Sequence, residues 1–170
     1  MLTGTQAAEI IETVEVSVVD SLGADEWLST GGTGGVKTIR ADAVDRNPRF
    51  AAHELPALIV TVTEVEHPFR GIAPTNACEV SVLCTILAIG AGGDPDGLRG
   101  DLREIAARVS AWAVDQNDTD GNRLDGLLGT GDRIDHVRTS RIEVAPDARS
   151  WRGKARIDLR ISLWAAIGSE

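Results

Sequence analysis

The residues with the most chemical potential are three histidines, two cysteines and two small glycine-bearing turns. His53 stands beside Glu54 and His67 beside Glu66, but no pair shows the H-x-x-H or H-E-x-x-H spacing of a helical metal site, and His136 is remote. Neighbours on a strand point to opposite faces, so on a strand neither His–Glu pair would converge. A small metal- or ligand-binding enzyme pocket near His53, Glu54 and His67 is the most these residues allow. Cys78 and Cys84 fall on the same face of one apolar run, about 20 Å apart at the usual rise per strand residue, too far to bridge. They read as two small apolar side chains in a reducing compartment. Neither lies in a nucleophile motif, and no serine occupies a G-x-S-x-G elbow.

The turns carry less. Gly32 to Thr38 resembles a phosphate-binding loop, but Val36 stands where glycine must precede the lysine, and no strong helix follows. Asp118-Thr119-Asp120-Gly121 resembles a calcium loop. With Gly121 in the sixth position the twelfth is Leu127, so the bidentate carboxylate is missing. No catalytic, cofactor-binding or metal-binding residue is assigned, no cofactor is expected, and the chain is not expected to be an enzyme.

Charge is more informative. The formal charge is −9, which disfavours a surface that grips nucleic acid. Over residues 1–66 acids such as Glu9, Glu12, Glu15, Asp20, Glu64 and Glu66 outnumber Lys37, Arg40, Arg46 and Arg49. The last segment reverses the balance with Arg133, Arg138, Arg141, Arg149, Arg152, Lys154, Arg156 and Arg160. A positive patch and a negative patch on one chain suit head-to-tail association. Arg152, Lys154, Arg156, Arg160, Glu64 and Glu66 are therefore the candidate subunit-interface residues. No leader and no apolar run long enough to span a bilayer is evident, which places the expected site of synthesis and function in a cytoplasm, away from membranes.

The elements that would position these residues follow from periodicity. Residues 77–113 form the organising stretch. Val80, Val82, Cys84, Ile86 and Ala88 alternate as a strand, with Leu83, Leu87 and Ile89 making the opposite face apolar toward its end. A strand apolar on both faces is covered on both, by a helix or by another subunit. It is expected to break at Gly90, Gly92 and Gly93. Asp94 then caps a helix with Pro95 at its first position, and Leu98, Leu102, Ile105, Ala106, Val109 and Ala113 share one stripe. Residues 5–22 read as a helix capped by Thr5, with acids in its early turns and ended by Gly23. Residues 36–43 suggest a short strand and residues 57–65 a strong one, joined to the central strand by a wide loop over 67–76. Residues 133–144 and 151–165 read as a long antiparallel pair turning near Pro146 and Asp147. The expected fold class is α+β: a single domain over residues 1–170, with a mainly antiparallel sheet of about four to five strands covered by two helices. Residues 29–56, rich in glycine at first, are expected to be flexible or arm-like.

The segments ELPALIVTV at 54–62, CEVSVLCTILAIG at 78–90 and ARIDLRISLWAA at 155–166 sit around one central helix. In this order the chain resembles the tail terminator (tail-completion) proteins of long-tailed phages, whose outline head–tail connector and neck proteins share. The resemblance covers nearly the whole chain in pattern, without invariant motifs or residues to carry over. It implies a structural virion protein whose copies close into a ring, usually hexameric. The ring caps the head-proximal end of the tail tube and joins it to the neck. Implied partners are further copies of the chain, the tail tube protein and a neck or head-completion protein. DNA would pass through an acidic or neutral channel without specific binding, and assembly would take place in the host cytoplasm. A head-completion or neck connector is the structural alternative. A regulatory ligand-binding module and the metal- or ligand-binding enzyme domain are alternatives of other classes.

Overall fold

Two strands carry the architecture of the computed structural model, which describes residues 4–42, 50–66, 77–116 and 133–166. β3 (Ala77–Gly92) and β6 (Ser150–Ala166) pair antiparallel without a register shift, from Ala77 opposite Ala166 to Gly92 opposite Trp151. β2 (Ala57–Glu66) pairs antiparallel with the free flank of β3. The short β1 (Thr38–Ala41) adds to β2 in parallel. On the other flank of β6, β4 (Arg133–Thr139) and β5 (Glu143–Asp147) lie end to end. The sheet thus has six strands in the order β1-β2-β3-β6-β4, with β5 beside β6, and is antiparallel except at β1.

Both helices lie on one face. α1 (Gly4–Gly23) packs on β1 and β2, and α2 (Pro95–Asp115) on β3, β6, β4 and β5. The shared core joins Ile10, Val14, Val18 and Leu22 of α1 and Leu98, Leu102, Ile105 and Val109 of α2 to the inward side chains of the strands. Burying each large apolar side chain contributes about 1.5–3 kcal/mol. The two helices are also joined by polar contacts. Trp112 Nε1 donates to Ser21 Oγ (3.1 Å), Ser21 donates to Gln116 Oε1 (3.2 Å), and Gln116 Nε2 donates to the Trp112 carbonyl (3.0 Å). Gln116 is only 1% exposed, so these bonds satisfy an amide that burial would otherwise penalise.

The fold class expected from sequence is the one observed, with more strands. Several details differ. Thr5 lies inside α1 and does not cap it, and the first turn of α1 contains no acid. Asp94 does cap α2, accepting from the amides of Asp96 (3.3 Å) and Gly97 (3.0 Å). The central strand continues through Gly90 to Gly92, because Gly90 and its partner Gly153 lie beneath α2. A Cβ at Gly153 would stand 2.5 Å from Leu102 Cδ1, and one at Gly90 would stand 3.0 Å from Leu98 Cδ1. These glycines let the helix close on the sheet; they do not end the strand. The expected hairpin turns at Ala148 and Arg149, with Ala148 at φ 52°, and its first arm is interrupted over residues 140–142. The 67–76 connection lies outside the described residues.

The described parts of 29–56 are built into the body and do not extend as an arm. After α1 the Asp25 carboxylate accepts from the amides of Trp27 (2.9 Å) and Leu28 (2.8 Å), bending the chain back under the helix. Gly32 and Gly34 then wrap Trp27 so closely that a Cβ at Gly34 would stand 2.4 Å from its ring. Arg108 of α2 covers the same ring with its guanidinium carbon 5.0 Å from the centroid. Leu28, Val36, Phe50 and Leu55 are all buried. Residues 43–49 lie outside the described residues.

Two glycine replacements separate close approach from conformational freedom. Gly153→Ala is expected to cost about 1–3 kcal/mol through overpacking against Leu102. Gly100→Ala, on the exposed side of α2 with nothing within 4 Å of the new Cβ, is expected to add about 0.5–1 kcal/mol. Urea unfolding of both variants checks the pair of signs.

Candidate functional site

The face of the sheet opposite the helices carries the interface candidates. By strand alternation Arg152, Lys154, Arg156 and Arg160 of β6 point there, as do Glu64 and Glu66 of β2. The geometry brings one predicted acid to one predicted base: Arg160 lies 3.3 Å from the Glu66 carboxylate. The other bases are taken up nearby. Lys154 pairs with Glu143 (3.2 Å), Arg156 with Asp158 (2.9 Å) and Arg152 with Asp147. Arg152 also donates to the Phe50 carbonyl (3.2 Å). The four outer bases of β6 are therefore all paired within their own chain. Exposed pairs of this kind are worth about 0–1 kcal/mol each. Glu64 is exposed and makes no ion pair among the described residues.

The apolar end of this face, at Leu87 and Ile89, is covered from within the chain, and by neither α1 nor α2. Phe50 and Leu55 fold over them and over Ala57 and Ile59, making a second, smaller apolar cluster. The 50–55 segment is held by the short 3-10 turn Ala52–Glu54, where the Glu54 carboxylate accepts from the Ala51 amide (2.7 Å). Glu54 thus serves the local backbone. His53 on the same turn is exposed, and His67 lies outside the described residues. The proposed His53–Glu54–His67 pocket gains no support from this arrangement. Among the described residues no three His, Cys, Asp or Glu side chains gather as metal ligands.

At the middle of the face Thr85 is fully buried and donates to Asp158 Oδ1 (2.7 Å), which also accepts from Arg156 Nε (2.9 Å). Bulges flank this row. In β2 the register shifts between Val62 and Glu64, and the Val62 amide is satisfied by Glu15 of α1 (2.8 Å). In β4 it shifts between Ile134 and His136, and Asp135 accepts from Arg133 Nε (2.6 Å) and from Ser162 Oγ. The bond to Asp135 raises the affinity of the Arg133 guanidinium for its proton.

The phosphate-loop resemblance does not survive in three dimensions. The amides of Gly31, Gly32, Gly34 and Gly35 donate to Val36, Ser29, Trp27 and Gly32 carbonyls, so none points at an open anion cradle. The acidic turn at 118–121 lies outside the described residues.

One concavity was not anticipated. A groove of about 490 Å³ lies between the outer side of α2 and the interruption that separates β4 from β5. It is lined by Arg99, Arg103, Ser140, Arg141 and Ile142. Arg99 lies 3.5 Å from Asp96, whereas Arg103 and Arg141 form no ion pair among the described residues. The spacing of Arg99 and Arg103 by four places them on one side of a helix, a signal visible in the sequence. Arg141 joins them only because the strand breaks there.

Burial pushes the Cys84 thiol up to about 12, helped by the nearby Glu15 and Asp158 carboxylates. In a Cys78→Ser background, a maleimide at pH 8 is expected to leave native Cys84 untouched and to label it after unfolding. Because the native thiol holds its proton more tightly than the unfolded one, stability from this group is complete below pH 9 and is lost as pH rises toward 12. Asp158→Ala, which strands the Thr85 hydroxyl, should cost about 1–3 kcal/mol, and Thr85→Val added to it should recover part of the loss. Thermal unfolding of the single and double variants measures that recovery. No protein-family model matches this chain, and no curated protein matches it.

Proposed function

We propose that this chain is a structural virion protein, a ring-forming tail terminator that caps the head-proximal end of a phage tail tube and joins it to the neck. The observation that carries the reading is the element order α1-β1-β2-β3-α2-β4-β5-β6 folded as one plate, helices on one face and a charged face opposite. The resemblance to tail-completion proteins rests on the order read from the sequence, a helix, a long loop, two strands, a helix and a closing strand pair, and this order supports the reading. In such a particle the subunit needs no reaction of its own. Its work is to present edges and faces to identical neighbours, to the last tube layer and to the neck. The net charge of −9 supports a channel that repels passing DNA and does not hold it. Assembly in the host cytoplasm and residence in the virion follow from the same reading, and no helix among the described residues is long and apolar enough to cross a membrane.

The reading predicts that the purified chain forms a closed oligomer by native mass spectrometry. Added to polymerising tail tube protein, it should halt elongation and remain at one tube end. Tubes that grow unchanged in its presence, while the chain binds portal or adaptor protein, would move it to the neck. A strict monomer with measurable turnover would overturn the structural reading.

A further inference from the structure

Resting on that ring reading, we propose that the arginine groove beside α2 receives the acidic outer stripe of α1 from a second copy of this chain. The stripe consists of Glu9, Glu12 and Asp20 around Val16, spaced along one side of α1 directly opposite the buried Ile10, Val14, Val18 and Leu22. Val16 is 50% exposed, one of two large apolar side chains left open among the described residues. Glu9, Glu12 and Asp20 make no ion pair among the described residues, and Glu15 is turned inward to the Val62 amide. The groove offers the complement: Arg103 and Arg141, also without ion pairs, with Arg99 at their side and Ile142 as an apolar floor for Val16.

Position makes the match directional. α1 packs on β1 and β2 at one end of the sheet, and the groove lies at the β4–β5 end. A contact between the two joins unlike patches on successive copies, the heterologous geometry that closes rings or runs on as filaments. Backbone pairing between sheet edges is a poorer way to join them. The β4–β5 edge is broken at 140–142, bulged between Ile134 and His136, and charged at Arg133, Asp135, Arg138 and Arg141. The opposite edge, β1, is only 4 residues long. Both are edges blunted against strand addition. Unlike charges at such a contact set its register and speed its formation, and both effects weaken as salt rises.

The full-length chain is tested by sedimentation velocity at about 0.05 M and about 0.5 M salt. Self-association is expected at low salt, with the apparent dissociation constant rising about tenfold or more at high salt. Arg103→Glu with Arg141→Glu should weaken association about tenfold or more, as should Glu12→Lys with Asp20→Lys. The chain carrying all four substitutions should regain it. All four positions are exposed or half-exposed surface groups, and circular dichroism confirms folding of each variant. Association that ignores both charge reversals overturns the groove contact and leaves the ring reading standing. Restoration failing in a folded four-fold variant also overturns the contact. A wild-type chain that stays monomeric throughout removes the ring reading and the contact together. Groove-dependent stabilisation of that monomer by inorganic phosphate would assign the arginines to a free anion instead.

Discussion

The unbroken ladder between β3 and β6 is the constraint on which everything else in the molecule depends. Each of the 16 residues of β3 has its partner on β6, so side-chain alternation never slips along either strand. The helix-facing side of the pair stays apolar, while the other side is charged along β6 and turns apolar at Leu87 and Ile89 of β3. Irregularity is displaced to the flanks, where β2 and β4 each carry a bulge and the β4–β5 edge breaks. The central pair is thus stiff and its borders are shaped. That division places two distinctive polar features, the Glu15 bond to Val62 and the arginine groove, beside the irregularities.

The charged face shows why composition alone misjudges a surface. Four bases on β6 look in sequence like an unmet demand for acid. Folded, they stand beside Asp147, Glu143, Asp158 and Glu66, contributed by the same hairpin or by the opposite side of the central strand. The groove arginines look unremarkable in sequence, one pair on a helix and one residue in a strand. Arg99 has Asp96 beside it, but Arg103 and Arg141 form no ion pair among the described residues and keep their charge unmatched. Attraction between copies follows the charges left over after folding, not those counted along the chain.

Periodicity made the core legible: the alternation in β3 and β6, the stripe of α2 and its Asp94 cap are all visible before folding. Glycine was read by its commonest meaning, freedom, and that meaning failed wherever the residue instead makes room. Gly32 and Gly34 are crowded by Trp27 of the same connecting segment, and Gly90 and Gly153 by leucines of α2, on another element. The covering of Leu87 by Phe50 and Leu55 was hidden for a similar reason, since the 50–55 segment has no periodic pattern of its own. The groove was legible only in part, because its third arginine depends on a strand break that local propensity does not encode.

The three side chains between the helices have a mechanical implication. The Trp112 indole donates to Ser21, Ser21 to the Gln116 carbonyl oxygen, and the Gln116 amide to the Trp112 backbone carbonyl, an open run of three bonds that starts and ends on one residue. Bonds in such a run polarise one another, so losing one link weakens the rest. The two helices are thereby joined at Ser21 by polar bonds as well as by their shared apolar core, so a load applied to α1 would reach α2 by both routes.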